Sequence, residues 1–230
     1  MKIAIIVAMG KELNLLLPLL ADKTEAETPL SRKTVYTGRI GSADVAAMQC
    51  GIGKVNSALV TSELIDMFHP DLVINTGVAG GTGETRVLDL VVGDEVAYHD
   101  VWCGPGTEWG EAAGCPRFFE SAKEVCGLDC LAESNGVKHG LIASGDIFVS
   151  TPEEVARIRG LYPEVKAVDM ESASIAQTCY LRGVPFFVMR VVSDTPGGED
   201  NIAQYNNFWD DAPRQTFGML QNLLTELTTL

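Results

Sequence analysis

The chain has 230 residues, a length that a single α/β domain commonly reaches. Hydrophobic residues make up 46% of it and charged residues 21%, a balance that allows a buried core and argues against disorder. The formal net charge of −14 argues against nucleic-acid and anionic-membrane partners, since both need basic patches on the protein.

The apolar N-terminal stretch is interrupted by Gly10, Lys11, Glu12 and Asn14. A signal peptide needs an unbroken apolar region, and a membrane span needs about 18 apolar residues or more. The six cysteines are scattered without a CxxC pair, which indicates small buried thiols of a reducing compartment and not a disulfide frame or a zinc site. We therefore expect a cytoplasmic protein.

Short apolar runs alternate with longer segments of helical period, the pattern of an α/β fold with a largely buried sheet. The predicted strands are residues 3–9, 45–48, 72–74, 90–92, 141–143, 167–170 and 186–192. The predicted helices are residues 54–68, 153–161, 172–181 and 220–230. No repeat, linker or change of composition divides the chain, so we predict one domain over residues 1–230.

Reactive or glycine-rich segments follow five of the predicted strands. They are the turn with Glu12 and residues 75–81, 144–146, 169–171 and 190–194. In open α/β sheets, ligands bind in the crevice beyond the carboxyl ends of the strands. The five segments are therefore predicted to meet in one pocket.

Each of these segments also has an ordinary structural interpretation. Glu12 is typical of a first helical turn, where the helix dipole stabilises a carboxylate, and Glu171 and Asp194 suit helix caps. The glycine run 77–81 either lets the backbone approach a ligand closely or forms a tight turn. Lys54 either contacts an anion or faces water, and water is favoured.

Motifs of several common sites are missing from the sequence. There is no GxGxxG, GxxxxGK[ST] or GxSxG, so dinucleotide, nucleoside-triphosphate and serine-hydrolase sites have no support. His69, His99 and His139 lack the spacing of metal ligands. We expect neither a metal nor a cofactor.

Taken together, six segments resemble one known family in order and spacing, over nearly the whole chain. They are residues 5–12 (IIVAMGKE), 51–55 (GIGKV), 75–81 (NTGVAGG), 144–148 (SGDIF), 168–173 (VDMESA) and 190–194 (RVVSD). The family is the 5′-methylthioadenosine/S-adenosylhomocysteine nucleosidases. The resemblance implies an α/β fold like that of the nucleoside phosphorylases, three α/β/α layers around a mixed central sheet, in a homodimer without cofactor.

The resemblance also implies the reaction, which is hydrolysis of the N-glycosidic bond of 5′-substituted adenosines in methionine salvage and nucleoside catabolism. Asp194 is then the acid that protonates purine N7, Glu12 the base that activates water, and Glu171 the anchor of the ribose hydroxyls. Chemistry supports these residue types. A carboxyl in a closed pocket keeps its proton near neutral pH, and carboxylates stabilise the positive charge that builds on the ribose.

Further substrate contacts follow from the same resemblance. Met170 is expected against the ribose, Phe148 stacked on adenine and the backbone of Val149 at the Watson–Crick edge of the base. Asp169 is expected just outside the ribose contact, where the family more often has a glutamate. The other expected lining residues are Met9, Ile52, Val78, Ala79, Gly80, Arg190, Ser193 and Tyr205.

Within that set, the residues expected beside the water are Arg190, Val78 and Ala79. The residues expected along the alkylthio group are Ile52 and Tyr205. Val78 replaces a hydroxyl residue that often holds the water in this family. The partner subunit is expected to supply apolar residues of 101–116 to the 5′ pocket.

Three alternatives compete with this interpretation. A phosphorylase of the same fold binds phosphate beside a glycine-rich turn, but here that turn lacks arginine and carries Glu12. A futalosine-type hydrolase would share the acids and differ only in the 5′ pocket. A catalytically silent nucleoside-binding protein predicts loss of the reactive acids, and they are present.

Overall fold

The strands form one mixed sheet in a computed structural model, which describes residues 1–211 and 213–227, with the side chains of 209–217 outside the description. The strands are β1 (Lys2–Val7), β2 (Ala21–Glu27), β3 (Thr34–Ile40), β4 (Ala43–Gln49), β5 (Leu72–Gly81), β6 (Leu90–Tyr98), β7 (Phe119–Glu120), β8 (Lys138–Ser144), β9 (Val165–Asp169) and β10 (Phe186–Asp194). The helices are α1 (Gly10–Leu16), α2 (Lys54–Phe68), α3 (Lys123–Cys126), α4 (Pro152–Leu161), α5 (Ser172–Arg182), α6 (Asn201–Asp211) and α7 (Pro213–Leu227).

The sheet runs β10-β6-β8-β9-β5-β1-β4-β3-β2, and β7 pairs with β6. Strand β10 also pairs with β5, so five of the strands close into a ring from which β1, β4, β3 and β2 extend. Strand β5 makes this possible because its first half pairs with β1 and its glycine-rich end pairs antiparallel with β9. The carboxyl ends of β1, β5, β9 and β10 consequently lie together.

Alternation of side chains along β1 produces the two helical layers. Ile3, Ile5 and Val7 are fully buried with leucines of α1 and α7. Ala4 and Ile6 are fully buried on the other side, with residues of α2 and α5. Successive side chains of a strand point to opposite faces, so an unbroken apolar strand needs a helical layer on each. The predicted three-layer α/β/α fold with a mixed sheet is confirmed.

The predicted helices correspond to helices of the structure. Helix α2 has the predicted bounds, α4 and α5 differ from theirs by one residue at one end, and α7 begins at Pro213 and reaches Leu227. Residues 228–230, the end of the predicted last helix, lie outside the described residues. No helix within the described part of the chain is long and apolar enough to cross a membrane.

The strand predictions were wrong in several places, and the strand predicted at 90–92 continues to Tyr98. The strand predicted at 72–74 continues as β5 to Gly81, so the glycine run is not a tight turn. Strands β2, β3 and β7 were not predicted. All seven residues of β2 are exposed, so it carries no apolar signal, and it is held by backbone pairing with β3 and by exposed side-chain contacts such as Thr24 with Thr37. The expectation of buried cysteines was also wrong for Cys103, which is exposed.

Candidate active site

A cavity of about 650 Å³, counted with its open mouth, lies beside the carboxyl ends of β1, β5, β9 and β10. This size is typical of small-molecule sites, which span roughly 300–1,000 Å³. All fifteen residues proposed from the sequence line it: Met9, Glu12, Ile52, Val78, Ala79, Gly80, Phe148, Val149, Asp169, Met170, Glu171, Arg190, Ser193, Asp194 and Tyr205. The lining also includes four residues not proposed from the sequence, Ala8, Ile147, Val168 and Pro196.

Glu12 is held by backbone N–H groups on both carboxylate oxygens. It is the third residue of α1, and its Oε2 accepts hydrogen bonds from the backbone of Ala8 and Met9, both at 2.8 Å. Its Oε1 accepts from the backbone N–H of Val78 at 3.1 Å. Burial raises the pKa of Glu12, while the charge of Arg190 and these N–H groups oppose the rise. The result is a buried carboxylate with a fixed orientation, suited to accepting a proton.

Gly77 makes the contact between Glu12 and β5 possible. A Cβ at position 77 would overlap the carboxylate of Glu12 and approach Nη1 of Arg190 to 3.2 Å. Only glycine therefore lets this strand come close enough for the Val78 N–H to reach the carboxylate. Gly77 therefore serves close approach to a side chain of the protein, whereas the sequence had left open close approach to a ligand or a tight turn.

Arg190 and Asp169 form a buried ion pair beneath the cavity. Nε and Nη2 of the guanidinium donate to Oδ2 of Asp169 at 2.8 and 2.7 Å, and the two residues are 1% and 7% exposed. Nη2 also donates to Oδ1 of Asn75 at 2.5 Å, and Asp169 accepts from the hydroxyl of Ser144 at 2.5 Å. A buried charge pair persists when hydrogen bonds satisfy its remaining atoms, as they do here.

This network defines how Arg190 acts on the site. Its positive charge is fixed by Asp169 and Asn75 and reaches Glu12 through space. Asn75 and Ser144 were not predicted individually from the sequence, although both stand in the segments that carry the family resemblance. Their signal is a polar side chain inside an otherwise buried strand, which needs a buried charge as its partner.

Glu171 links the start of α5 to the start of α2. Its backbone carbonyl accepts the first helical hydrogen bonds of α5, from Ser174 and Ile175. Its side chain does not cap that helix; Oε1 accepts instead from the backbone N–H of Gly53 at 2.9 Å. Burial, and next the charge of Asp169, raise the pKa of Glu171 to about 7.

Asp194 ends β10 and is 3% exposed. The hydroxyl of Ser193 donates to its Oδ1 at 2.6 Å, and the amide of Asn201 donates to its Oδ2. Burial raises the pKa of Asp194, and these two hydrogen bonds oppose the rise. A carboxyl in this environment retains its proton at higher pH than an exposed aspartate does.

Aromatic side chains form one wall of the cavity. The rings of Phe148 and Tyr205 meet edge to face with centroids 5.5 Å apart, and the Tyr205 hydroxyl donates to the sulfur of Met9 at 3.2 Å. Val149 is 5% exposed, whereas Phe148 and Ile52 are 44% and 51% exposed at the mouth. The wall therefore offers apolar surface that a flat, uncharged ring system would cover.

Lys54 does not face open water, the interpretation that the sequence favoured. Its Nζ pairs with Asp100 at 2.8 Å and lies over the ring of Tyr98, 5.4 Å from the centroid. The backbone N–H of Lys54 donates to Asp146 at 2.8 Å. The residue therefore joins the start of α2 to the loop after β8, near the cavity mouth.

Comparison with known proteins agrees with this geometry. Residues 2–225 match the model of the phosphorylase superfamily. A 5′-methylthioadenosine/S-adenosylhomocysteine nucleosidase of Actinobacillus succinogenes is 40% identical over 232 residues, which cover 99% of this chain and 100% of that protein. The chain belongs to the 5′-methylthioadenosine/S-adenosylhomocysteine nucleosidase family. The resemblance seen in the sequence is thereby confirmed.

Solved structures of this nucleosidase family match the fold closely. The Streptococcus pyogenes nucleosidase with 5-methylthiotubericidin has a TM-score of 0.92 at 35% identity, covering 99% of this chain and 97% of that one. The S. pneumoniae nucleosidase with a transition-state inhibitor, MT-ImmA, has a TM-score of 0.92 at 37% identity, covering 99% and 100%. A futalosine hydrolase of Helicobacter pylori matches at 29% identity and a TM-score of 0.89, covering 98% and 97%.

Proposed function

We propose that this nucleosidase hydrolyses the N-glycosidic bond of 5′-methylthioadenosine, S-adenosylhomocysteine and 5′-deoxyadenosine-like nucleosides, releasing adenine. The observation that carries the proposal is the set of three buried carboxyl groups, Glu12, Glu171 and Asp194, on one cavity of nucleoside size. Each is held by hydrogen bonds from different elements. The arrangement supplies an acid, a base and a ribose anchor without further groups.

On the base side, Asp194 gives its proton to N7 of adenine. Protonation makes adenine a neutral leaving group, and the bonding electrons of the C1′–N9 bond pass to the base as the bond breaks. The raised pKa of Asp194 suits this role because the acid has to be protonated near neutral pH. The hydrogen bond from Ser193 then stabilises the carboxylate that remains.

On the sugar side, positive charge develops at C1′ and the ring oxygen as the bond lengthens. Glu12 removes a proton from water, whose oxygen forms the new bond to C1′, and the product is the 5′-substituted ribose. The three backbone N–H groups fix the Glu12 carboxylate for this step. Glu171, oriented by Gly53, accepts hydrogen bonds from the ribose hydroxyls and adds negative charge near the developing cation.

A second cavity lies where it could receive the 5′ substituent of a bound nucleoside. It measures about 950 Å³ with its open mouth and adjoins the first along Ala8, Met9, Ile52 and Tyr205. The rest of its described lining is mostly polar: Gly10, Lys11, Gln49, Gly51, Asn56 and Asn206. Amides and a lysine suit the carboxylate and ammonium at the end of a homocysteine tail. We propose that this tail extends into the second cavity, where a methylthio group does not reach.

A substrate panel tests the function. The protein is incubated with methylthioadenosine, S-adenosylhomocysteine, 5′-deoxyadenosine, inosine and a futalosine analogue, with and without phosphate, and the free base is measured. We expect adenine from the first three at rates independent of phosphate. Release of ribose 1-phosphate would favour the phosphorylase alternative, and faster cleavage of the futalosine analogue would favour the futalosine hydrolase.

The same assay tests the tail site by comparing S-adenosylhomocysteine with 5′-butylthioadenosine, whose tail is similar in length but uncharged. The homocysteine compound is expected to have the lower KM. Equal KM values would contradict binding of the charged end. A failure of the tail site would appear as equal KM values, whereas a failure of the proposed reaction would appear as no adenine from either compound.

We also propose a homodimer in which residues 101–116 complete the 5′ pocket of the partner. Trp102 and Trp109 stack on each other with centroids 5.7 Å apart, yet remain 50% and 48% exposed. Exposed aromatic pairs of this kind are typical of protein interfaces. Sedimentation of the wild type and of Trp109→Lys tests this: we expect a dimer whose fraction falls in the variant. A fully active monomer would contradict the proposal.

The six cysteines are free thiols, which suits a reducing compartment, and we place the enzyme in the cytoplasm. Fractionation of the source cells tests this assignment. Activity found mainly outside the cytoplasmic fraction would exclude it.

A further inference from the structure

The side-chain amide of Asn201 donates a hydrogen bond to the second carboxyl oxygen of Asp194, the proposed acid. Asn201 opens α6 and is 3% exposed. Its Nδ2 donates to Oδ2 of Asp194, while the hydroxyl of Ser193 donates to Oδ1 at 2.6 Å. Rotation of the carboxyl about its Cβ–Cγ bond would break both hydrogen bonds. The two donors therefore fix the plane of the group that gives up the proton.

The same helix also holds the chain directly after the acid. Oε1 of Gln204 accepts from the backbone N–H of Thr195 at 2.8 Å, directly after Asp194. Tyr205, the next residue, lines the cavity and contacts Met9. Helix α6 therefore contacts Asp194 and Thr195 and contributes Tyr205 to the aromatic wall, so the positions of all three depend on this helix. A shift of Asn201 would move the acid relative to the base that it protonates.

The remaining polar atom of the amide points to a second role. Oδ1 of Asn201 is buried and has no hydrogen-bond partner among the residues that the structure describes. A buried acceptor without a partner is uncommon and unfavourable. The amide that carries this Oδ1 contacts Asp194, whose carboxyl changes its protonation state in the proposed reaction. With its NH₂ group on Oδ2 of Asp194, the amide favours the ionised carboxyl, which is the state that the acid reaches once its proton has moved to N7.

We propose that Asn201 is a positioning residue of the reaction, which orients Asp194 towards adenine N7 and stabilises the carboxylate formed when the proton is transferred. The inference rests on the proposed function, because it requires Asp194 to be the acid. Asn201 itself exchanges no proton with the substrate. Its effect is carried by the hydrogen bond to Oδ2.

The expected pH dependence follows from the groups around the acid. Burial raises the pKa of Asp194, and the hydrogen bonds from Ser193 and Asn201 oppose this rise. The other titratable groups that line the cavity are Glu12 from α1, Asp169 from β9, Glu171 before α5, Arg190 from β10 and Tyr205 from α6. An acid acts only while protonated, so activity falls as the pH rises through its pKa. Loss of the Asn201 donor destabilises the carboxylate, raises this pKa and moves the alkaline limb to higher pH.

The test compares Asn201→Leu, which has a similar volume and no hydrogen-bonding group, with Asn207→Leu, an exposed position of the same helix. For methylthioadenosine we expect Asn201→Leu to lower kcat about 10- to 100-fold, since a hydrogen bond to a charged group is lost. The alkaline limb should move up by about one pH unit with KM little changed. Asn207→Leu should match the wild type.

A substrate with a 4-nitrophenyl leaving group separates positioning from a general loss of structure. Nitrophenolate leaves without being protonated, so 4-nitrophenyl 5-methylthioriboside should be cleaved by Asn201→Leu at a rate near that of the wild type. Equal losses on both substrates, or an unmoved alkaline limb, would overturn the inference. If Asn201→Leu does not fold, Asn201→Asp keeps the shape and replaces the donor by a second carboxyl, with the same direction expected. Asp194→Asn, tested alongside, shows separately whether Asp194 is the acid.

Discussion

Replacement of Asp194 by asparagine is expected to lower kcat for methylthioadenosine about 10²- to 10⁴-fold, the range for loss of a general acid. The change removes the proton that makes adenine a neutral leaving group. KM should change little, because asparagine keeps the shape of the side chain and polar partners remain in Ser193 and Asn201. Steady-state measurement of adenine release gives both constants. The alkaline limb of the pH profile should also disappear, since activity in the wild type falls as Asp194 loses its proton.

Two controls separate this effect from unfolding. The 4-nitrophenyl riboside needs no protonation of its leaving group and should be cleaved by Asp194→Asn at nearly the wild-type rate. The change should not lower the thermal stability of the protein at pH 7. Burial raises the pKa of Asp194 in the folded protein above its pKa in the unfolded chain. At a pH above the pKa of the unfolded chain, the ionised carboxyl therefore lowers the stability of the fold. Full adenine release by the variant would exclude Asp194 as the acid.

Glu12→Gln is expected to lower kcat by a similar factor, about 10²- to 10⁴-fold, because it removes the general base instead of the general acid. The amide cannot take a proton from water, and its NH₂ group replaces an oxygen that accepts from a backbone N–H. In the wild type, activity falls as the pH drops through the raised pKa of Glu12, because the base has to be ionised. The variant should lose the part of the acid limb that Glu12 causes, while the part due to Glu171, whose pKa is about 7, should remain.

The nitrophenyl substrate distinguishes the two carboxyl groups. Its hydrolysis still needs activated water, so Glu12→Gln should be slow on both substrates, whereas Asp194→Asn should be slow only on the nucleoside. Glu63→Gln is the matched control, since Glu63 is 2% exposed and accepts hydrogen bonds from residues 30 and 31, and it does not line the cavity. Comparable activity of Glu12→Gln and Glu63→Gln would exclude Glu12 as the base.

Helix periods and family motifs were readable from the sequence because they depend on neighbours along the chain. The bounds of α2 follow from its apolar spacing and from the glycines before it. The layering of the fold follows from unbroken apolar strands such as β1. The fifteen lining residues came from the family resemblance. Val149 and Tyr205 lie outside its six segments, and no local pattern would have selected Ile52 or Tyr205.

Pairing between distant segments decided the remaining features. Strand β2 has no buried side chain, so its backbone partner β3 alone places it in the sheet. The sequence left open whether the glycine run is a tight turn or a close approach to a ligand. It is a strand because β10 and β9 pair with it, and Glu12 needs the space at Gly77.

The sequence by itself determined the family, the three acids and the helical layers, since these rest on residue type, order and spacing. Only the tertiary structure decided what surrounds each acid: three N–H groups on Glu12, the Gly53 N–H on Glu171, and Asn201 on Asp194. Burial and hydrogen bonding set the pKa of a carboxyl, and both arise from residues far apart in the chain. The family resemblance assigns the proposed roles of acid, base and anchor, and the fold supplies the different surroundings that suit each carboxyl to its proposed role.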